Sequence, residues 1–591
     1  MKTSSNKQLR RTILCAIFAG ALAAPFAAPE AYALPIEGAN AAANKTEADI
    51  STSGAVMDIV GKTAHNILKW ENFSVEKDEK VRFDGGNQTH DYLNLVTGEG
   101  ASNIYGTIEG GRNVYLVNPH GILFAKDSEV NTGALYLSTA NPADIAAATN
   151  TFKTNGTSPL SATAQMGDVL NLGTVKAAKL YIEGKNVKVL NTDAVTDANG
   201  TALTGADKVI IRSENTPHIG YDVGDKTAPS TTASDYANAN TAKSATGRGW
   251  DVKKLGGGAA HTDYDYMCVH DVYDLQNIHA KLDGRYMLAR DIDASATATW
   301  DGGKGFAPIG NNSNRFTGRF DGVRHTIRGL QIKRPNERYV GLFGTAKNAR
   351  IENVSLVDGN VKGDQRVGGI VGEMIGGTVQ NASNAGQVKG WMNIGGIVGA
   401  MSNGTIQNAS NVGAVAGSFV GGIVGAVTVG TVRNVWNAGQ VTGDQQVGGI
   451  AGKMSAGKVI QAVWKTGTAA HAVDPDNNTG FEEDCHEHTE EEMKQAATYT
   501  SWKDANGNAV VATEGGKGTP WRIYEGKTMP LLTGLMKGTK RLAKVYDGKA
   551  FGDGDAHILS DTALEKNVGT RDASGIYSDA FGYDLIGSTY R

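Results

Sequence analysis

Short segments in which hydrophobic and polar residues alternate recur along the first part of the chain at a constant spacing. One hydrophobic position in these segments is occupied by Leu93, Val114 and Leu135, which are equally spaced, and the position two further on is always leucine. Strict alternation is typical of a strand with one buried face, and the same phase in successive segments stacks such strands in register. The pattern therefore predicts a β-solenoid.

A second and longer repeat covers residues 340–467. Its units open with Val-Gly or Ile-Gly at positions 340, 367, 394, 420 and 447, so the step between units is nearly constant. One isoleucine per unit predicts an aliphatic column along the core, formed by Ile370, Ile397, Ile423 and Ile450. Two asparagine series keep the same steps and predict amide ladders along the axis, with a ligand-binding face as the alternative: Asn381, Asn408 and Asn434, and Asn384, Asn411 and Asn437.

The stretches outside the repeats differ in composition. Residues 225–265 are rich in Ser, Thr, Ala, Asn and Gly and poor in large hydrophobic side chains, which predicts a linker or a loose outer loop. Asn155-Gly156 and Asn199-Gly200 are candidates for type I′ hairpin turns, because both central residues of that turn take positive φ. Residues 541–591 predict a small separate β-module.

Residues 1–33 have the features of an export signal. A basic head precedes a short apolar run at residues 13–24, and small residues stand where a signal peptidase needs them. Cleavage is expected between Ala33 and Leu34, and a retained N-terminal anchor is the alternative. No later segment has an unbroken apolar run long enough to span a membrane, so no transmembrane helix is expected after cleavage.

Composition adds three constraints. Glycine supplies 77 of the 591 residues, roughly twice its average share, which suits many tight corners. The net charge of -4 offers no basic footprint for nucleic acid, so no nucleic-acid partner is expected. The mature chain keeps two cysteines, Cys268 and Cys485, and export permits one disulfide between them. Their wide separation along a solenoid argues against contact, so paired and unpaired cysteines both stay open.

Three motifs carry a resemblance in the first part. The run 67–75, the pentapeptide 118–122 and the Asn-Thr-Gly of residues 131–133 resemble the secretion domain of filamentous-haemagglutinin-like exoproteins, the secreted partners of two-partner secretion. The resemblance spans roughly residues 34–145 and implies a right-handed parallel β-helix with an N-terminal cap. It also implies recognition by a dedicated outer-membrane β-barrel transporter through the pentapeptide residues Asn118, Pro119, His120, Gly121 and Ile122.

Two departures from that pattern leave the identity of the transporter open. The motif usually has asparagine where this chain has His120, and a second Asn-Pro tetrapeptide of the family is missing. The other Asn-Pro pair of the chain is Asn141-Pro142.

The second part resembles other families of bacterial surface proteins. The units of the longer repeat resemble the GLUG motif, residues 284–322 are similar to the usual lead-in of such arrays, and residues 521–531 are similar to their exit. The last residues resemble a YDG-type module. The predicted organisation is a signal peptide (1–33), a secretion-type β-helix (34–224), a linker (225–265), a GLUG-type β-solenoid (266–540, core repeats 340–467) and a YDG-like β-module (541–591).

Candidate chemistry is sparse, and no catalytic residue, metal site or cofactor is predicted. Cys485 to His488 suggest zinc ligands, but no second cluster stands at ligand spacing, so a charged surface loop is favoured. The stretch 474–478 mimics the opening of a calcium loop, but Thr479 stands where the sharp-turn glycine belongs. Asp291 and Asp293 are the best acidic pair for polysaccharide cleavage, and the family turn motif explains them better.

These observations predict a secreted or cell-surface adhesin or haemagglutinin-like exoprotein that is exported through the periplasm. It is expected not to be an enzyme and to attach to a host-cell, matrix or glycan receptor that the sequence does not specify. Two alternatives stay open. One is a haem- or haemopexin-scavenging exoprotein, and the other is a carbohydrate-active β-helix enzyme.

Overall fold

The computed structural model describes residues 34–98, 100–125, 127–160, 164–171, 173–221, 243–257, 259–323, 325–476, 478–504, 506–513, 519–523 and 525–533, and the backbone of 568–571 and 577–579. The predicted signal peptide, including Ala33 of its cleavage site, lies outside the described residues. So do residues 225–242 of the predicted linker and the predicted module 541–591, apart from the two short backbone stretches.

The described chain is an all-β parallel β-helix, which confirms the predicted fold class. Strands of successive coils pair in parallel, and each coil returns to the same face one strand further along the axis. We number the strands β1–β45 in chain order. Five faces result, of which two belong to the first part of the chain, two belong to the second part, and one is shared by both.

Faces A and B belong to the first part. Face A consists of β1 (Ala48–Ser53), β2 (Val56–Gly61), β4 (Lys80–Phe83), β7 (Thr107–Glu109), β10 (Glu129–Asn131), β13 (Thr174–Lys176) and β16 (Val195–Thr196). Face B consists of β3 (His65–Trp70), β5 (Asp91–Val96), β8 (Asn113–Val117), β11 (Ala134–Ser138), β14 (Lys179–Gly184), β17 (Val209–Ser213) and β19 (Asp251–Lys254).

The shared face runs through both parts as one parallel ladder. Its fourteen described strands are β6 (Ser102–Ile104), β9 (Ile122–Phe124), β12 (Asp168–Asn171), β15 (Asn186–Val189), β18 (His218–Tyr221), β20 (Asp265–Val269), β21 (Arg285–Leu288), β23 (Arg319–Asp321), β27 (Arg350–Val357), β30 (Val371–Asn384), β33 (Val398–Asn411), β36 (Val424–Asn437), β39 (Ala451–Lys465) and β40 (Phe481–His488). Three short strands join it from the side, namely β22 (Ile292–Asp293), β24 (Thr326–Arg328) and β26 (Phe343–Lys347).

Faces C and D belong to the second part. Face C consists of β25 (Gln331–Lys333), β28 (Asn360–Lys362), β31 (Gln387–Lys389), β34 (Val415–Gly417) and β37 (Val441–Gly443), and face D of β29 (Gln365–Gly368), β32 (Met392–Gly395), β35 (Val420–Gly421) and β38 (Val447–Gly448). The remaining strands are β41 (Val511–Ala512), β42 (Trp521–Arg522), β43 (Leu531–Leu532), β44 (Val568–Arg571) and β45 (Tyr577–Asp579).

Helical segments are short. The α-helices of the described residues are α1 (Ala41–Glu47), α2 (Ala146–Asn155) and α3 (Val272–Asn277). The 3-10 segments described are Gly38–Asn40, Asp84–Gly86, Thr192–Ala194, Leu255–Gly257, Ile278–Ala280, Ser295–Gly303, Glu492–Lys494 and Ala496–Tyr499. Among the described residues, no helix combines the length and the apolar character needed to cross a membrane.

The equal spacing of Leu93, Val114 and Leu135 predicts that these residues stack side by side on face B, and this is true for only one of the two pairs. Strand β11 places Leu135 beside Val114, as predicted. Strand β5 is shifted by one position and pairs Leu93 with Tyr115. Because strand side chains alternate between faces, this slip turns Leu93 away from the central core, and Tyr92 takes the inward position instead.

Helix α2 covers the outward surface that the slip creates. Phe152 is fully buried and packs edge-on against Tyr115, with ring centroids 5.4 Å apart. Leu93 belongs to the same outer cluster. The helix ends at Asn155, and Gly156 takes the left-handed conformation of a C-cap with φ 75°. The hairpin predicted for Asn155-Gly156 is therefore wrong, because the glycine terminates a helix.

The second predicted hairpin is only partly right. A bridge between Thr196 and Ala202 closes a tight turn around Asn199-Gly200. Gly200 has positive φ, but Asn199 does not, so the turn is not of type I′.

Helix α1 closes the N-terminal edge of face B. The side chain of Asn44 accepts from the amide of Lys69 at 2.9 Å and donates to its carbonyl at 2.8 Å. Glu47 accepts from the amide of Ile67 at 2.9 Å. An edge strand offers unpaired backbone groups on which other strands can pair. The helix satisfies those of β3 with side chains of the same chain and thereby supplies the expected cap.

The predicted linker is corrected over residues 243–265. Strand β19 pairs with β17, and β20 continues the shared face from β18. Ala245, Trp250 and Val252 are buried in the first core, which supplies the apolar burial that the averaged composition did not show. The two predicted solenoids therefore share one continuous hydrogen-bonded ladder.

The second part shows the column and the ladders expected from the repeat. All four column isoleucines, Ile370, Ile397, Ile423 and Ile450, are fully buried. The amide of Asn384 donates to Asn411 at 2.9 Å, and that of Asn411 donates to Asn437 at 2.9 Å. Each of these amides also donates to the carbonyl of the glycine two positions further on. The inner asparagines are therefore structural, as predicted.

The outer asparagine series occupies a bend within each long strand of the shared face. Asn381, Asn408 and Asn434 have φ between 51° and 53°. Asparagine tolerates this left-handed conformation better than most residues, because its side chain bonds locally. Asn408 donates to Asn381 at 3.2 Å, so the bend carries a second amide ladder.

The described residues between 489 and 533 fold back onto the side of the last coils. Trp502 and Trp521 are buried together with Trp436 of β36. The indole of Trp436 donates to the carbonyl of Pro530 at 3.1 Å. The side chain of Gln461 accepts from the amide of Lys503 at 3.2 Å. This C-terminal segment thus covers apolar surface that the coils leave open.

Replacing Asn411 by alanine should destabilise the second part. The change removes both amide contacts to the neighbouring coils, and a buried group left without its partner costs about 1–3 kcal/mol. We expect the free energy of unfolding from urea titration to fall by about 2 kcal/mol. Asn403→Ala, at an exposed position of the same strand, is the control and should change it by less than about 0.5 kcal/mol. Equal effects of both substitutions would contradict a structural ladder.

Candidate functional site

The predicted recognition pentapeptide forms the corner between β8 and β9. The buried side chain of Asn118 accepts from the amide of His120 at 2.9 Å, which closes the expected Asx-type turn. Its amide nitrogen donates to the carbonyl of Gly100 at 2.9 Å and to Ser102 at 3.0 Å. Asn118 therefore ties the corner to the preceding coil.

Glycine is required on both sides of this corner. Gly121 has φ 107°, which disfavours any residue with a Cβ atom. A Cβ atom at Gly167, in the next coil, would lie 2.7 Å from the amide nitrogen of Gly121 and 2.8 Å from the carbonyl oxygen of Pro119. The corner is thus held between the coils before and after it.

The pentapeptide divides into buried and accessible residues. Asn118, Gly121 and Ile122 are buried, whereas Pro119 and His120 are partly exposed. Only the latter two side chains are placed to meet another molecule. The remaining residues form the corner that presents them.

A buried charged cluster joins the two parts of the chain on the shared face. Asp321 of β23 is fully buried and lies 2.6 Å from the ammonium group of Lys188 in β15. The same carboxylate contacts Nδ1 of His218 at 2.7 Å, and Nε2 of that ring lies 3.8 Å from Glu352. Burial alone would raise the pKa of Asp321, but Lys188 and His218 hold it well below its usual range.

His218, Asp321 and Glu352 are close enough together to hold a metal ion. Other groups already neutralise both carboxylates, because Lys188 faces Asp321 and the guanidinium of Arg350 lies 2.8 Å from Glu352. We therefore assign the cluster as an internal ion network that links β15 and β18 to β23 and β27. Sequence reasoning missed it, since its members lie on separate coils and form no local motif.

The possible disulfide is corrected. Cys268 and Cys485 are not disulfide-bonded. Cys268 lies in β20 and Cys485 in β40, eight strands apart in the shared ladder, which corresponds to about 40 Å at the usual strand spacing. Burial raises the pKa of the Cys485 thiol to about 12, so this cysteine is not activated as a thiolate.

The other candidate residues take structural positions. Asp293 accepts from the amide of Ser295 at 2.9 Å and so stabilises a turn. Asp291 accepts from the amide of Thr326 in β24 at 2.8 Å and so binds a later segment of the chain. His486 and His488 lie on the last strand of the shared face, where they contact Asp484 and Glu492 respectively. In the loop 474–478, Asp474 accepts from the amides of Asp476 and Val447.

A family of secretion domains matches the first part of the chain. The family model of the TPS secretion domain matches residues 36–248, which include all of faces A and B except the last strand. The first part of the chain therefore resembles this domain, and the match covers 213 of the 591 residues. The match supports a secreted or cell-surface protein.

Curated relatives match parts of the chain. A stretch of 203 residues is 32% identical to Halomucin of Haloquadratum walsbyi and covers 33% of this chain and 2% of that protein. A stretch of 169 residues is 30% identical to the Heme/hemopexin-binding protein of Haemophilus influenzae and covers 28% of this chain and 18% of that protein. The chain thus spans less than a fifth of the length of either relative.

One solved structure is the HMW1 secretion domain from Haemophilus influenzae. It has a TM-score of 0.22 and 10% sequence identity, and the match covers 77% of this chain and 98% of that chain. A likeness this weak supports no conclusion about function.

Replacing Asp321 by asparagine should destabilise the junction in a pH-dependent way. The change leaves Lys188 without its carboxylate, and breaking a buried pair costs about 3–5 kcal/mol. Because the pKa of Asp321 is depressed in the folded protein, its stabilising effect is complete above the pKa of the unfolded state and is lost as the pH falls. We expect the difference in unfolding free energy between wild type and Asp321→Asn to be largest near pH 7 and to shrink below about pH 5.

Asp168→Asn is the matched control for this measurement, since the side chain of Asp168 is exposed and bonds only the side chain of Asn186 among described residues. A pH-independent difference between wild type and Asp321→Asn would contradict the ion network.

Proposed function

We propose that this chain is a secreted surface adhesin, exported through a separate outer-membrane β-barrel transporter and attaching its producer to host or bacterial surfaces. The observation that carries the proposal is the continuity of the shared face. The part that matches the TPS secretion domain and the repeat array that resembles the GLUG motif contribute strands to one hydrogen-bonded ladder. Fourteen strands at the usual spacing extend about 60 Å along its axis.

The geometry of this ladder suits a spacer better than an enzyme. Its core is filled by aliphatic columns, and its repeats place amides at structural positions. Both carboxylates of the best acidic pair bind backbone amides, that of Asp293 within a turn and that of Asp291 at Thr326 of β24. A stiff ladder of this kind holds side loops at a distance from the secretion domain, where they are available to a receptor.

The transporter is proposed to bind the corner at residues 118–122. Asn118 supports recognition indirectly, because it is buried and fixes the turn. Pro119 and His120 supply the contact surface. Related motifs usually have asparagine at the position of His120. The transporter of this chain is therefore expected to differ from other transporters in the surface that contacts this residue.

A second candidate function is binding of haem or of a haem carrier. The observation that favours it is the 30% identity to a protein named for heme and hemopexin binding. The chain covers 18% of that protein. The binding site for the named ligand can therefore belong to segments of that protein that have no counterpart in this chain.

Asn118→Ala should reduce export. The variant loses the bonds that fix the corner, and a loss of about 1.4 kcal/mol is enough to change a binding equilibrium ten-fold. We expect the secreted fraction, measured by quantitative immunoblot of medium and periplasm, to fall about ten-fold. Asn141→Ala, which removes an exposed Asx turn in the other Asn-Pro pair, is the control and should be exported normally.

The variant His120→Ala separates the two roles within the corner. A side chain that contacts the transporter predicts reduced export with unchanged folding, whereas a role through the fold alone predicts normal export. Export of Asn118→Ala at the level of Asn141→Ala would reject recognition at this corner.

Attachment itself is tested by deleting the gene and measuring adherence to epithelial cells and matrix proteins. The adhesin proposal predicts lost adherence that returns when the gene is restored. Unchanged adherence, with the protein free in the medium and haem-dependent growth impaired, would reject it in favour of haem scavenging.

A further inference from the structure

A cleft of about 510 Å³ opens beside the first coil of the second part. One wall is α3 with the following 3-10 segment Ile278–Ala280, and the other is the segment Ser295–Gly303 with the strand that leads to Arg334. Small-molecule sites commonly have volumes of about 300–1,000 Å³. None of the functions considered above uses this cleft.

The cleft is held open by its own hydrogen bonds. Gln276 of α3 binds the backbone of Ala307 twice, as donor at 2.9 Å and as acceptor at 2.9 Å. Arg334, only 8% exposed, donates to the carbonyls of Gly305 and Phe306 at 3.2 Å and 3.1 Å. Because both walls are fixed in this way, the binding of a ligand requires only a side-chain adjustment at Asn277.

Aromatic rings provide a flat apolar surface. Trp300 lines the cleft and is partly exposed. Its ring lies 5.0 Å from that of Tyr273, which is 36% exposed, and 6.4 Å from that of the buried Phe306. The indole therefore packs near two other rings and stays partly exposed.

Two polar groups in the cleft have unused bonding capacity. The side-chain nitrogen of Asn277 is buried and makes no hydrogen bond within the described part of the chain. Such a buried donor is costly unless a partner supplies an acceptor. Asp301 accepts from Arg334 through Oδ2 at 2.9 Å, and no described group donates to its Oδ1. The cleft thus offers one donor and one acceptor beside an aromatic face.

The charges of the cleft balance. Two cations face two carboxylates, because Arg334 is paired with Asp301 at 2.9 Å and with Glu337 at 3.0 Å, and the ammonium group of Lys304 lies 4.0 Å from Asp301. Burial lowers the pKa of His279, and Nε2 of this ring lies 3.2 Å from the carbonyl of Ala307, which favours the neutral imidazole with its proton on that nitrogen. A neutral ligand therefore fits the cleft better than an anion or a cation.

We propose that this cleft binds a neutral saccharide. A sugar ring has C–H groups on one face and hydroxyl groups around its rim, and each hydroxyl both donates and accepts. The C–H face packs on Trp300 and one hydroxyl donates to Asp301, while another accepts from Asn277 once that amide turns toward the cleft. The inference deepens the proposed attachment by naming the class of receptor. Saccharide binding itself does not depend on the proposed function, but its role in attachment rests on it.

Direct binding tests the site. Purified mature protein, residues 34–591, is titrated with glucose, galactose, mannose, fucose, N-acetylglucosamine and N-acetylgalactosamine and with a printed array of their neutral oligosaccharides. We expect binding of at least one of these probes, detected on the array and by calorimetry. Absence of binding to every probe would overturn the proposal.

Two substitutions locate the binding. Trp300→Ala should weaken binding about ten-fold or more, because the stacking surface is lost. Trp391→Ala is the matched control, since Trp391 is 56% exposed beside face D and does not line the cleft. It should leave affinity unchanged, and equal losses in the two variants would reject the cleft as the site.

Asn277→Ala separates a loss of saccharide binding from a loss of folding. Its amide nitrogen has no described partner in the free protein, so removing it should leave the urea midpoint unchanged or raise it. Binding should nevertheless weaken about ten-fold. Unchanged affinity in this variant would overturn the assignment of Asn277 as a ligand contact and with it the proposed geometry.

The outcome is distinguishable from that of the adherence experiment. Lost adherence on gene deletion, combined with no sugar binding by the purified protein, would reject the saccharide cleft and leave the proposed attachment standing. Sugar binding that depends on Trp300 and Asn277, with no adherence defect on gene deletion, would uphold the cleft and reject attachment.

Discussion

Parallel hydrogen bonding between successive coils is the constraint on which this structure depends. Each coil must offer its backbone groups to the coil before and the coil after, so the register of one strand fixes that of the next. The shared face keeps this pairing from β6 to β40, although the coils change from three short strands to long bent ones. The repeat length changes between the two parts of the chain, and this change is accommodated by faces A to D and by the loops. The strands of the shared face keep their parallel pairing throughout.

The same constraint explains where polar residues are tolerated inside or beneath the coils. Asn384 and Asn411 are buried, yet each binds the neighbouring coil and its own turn. At the junction of the two parts, where no repeat exists, charged groups of different coils replace the amides, and Asp321 gathers Lys188, His218 and Asn353 around one carboxylate. A buried polar group persists in this fold when an adjacent coil satisfies it.

The repeated segments are the part of the molecule that can be predicted from the sequence. The isoleucine column and the amide ladder around Asn411 are predictable, because each repeat places the same residue at the same height. Leu93 shows the limit, since a slip of one position leaves the alternation intact but reverses the face. The buried strand around Trp250 was hidden in a composition averaged over the whole predicted linker. Trp300, Asn277 and Asp301 come from unrepeated segments, so no periodicity could have brought them into one cleft.

The helix that closes face B at its N-terminal end has a consequence for how the ladder forms. With Asn44 and Glu47 bonded to the backbone of β3, no strand can be added on that side. The ladder of face B therefore elongates at one end only, as a capped filament does, and each new coil uses the last one as its template. Folding on this face has a direction, and the finished coils are also protected from end-to-end fusion with another copy through that edge.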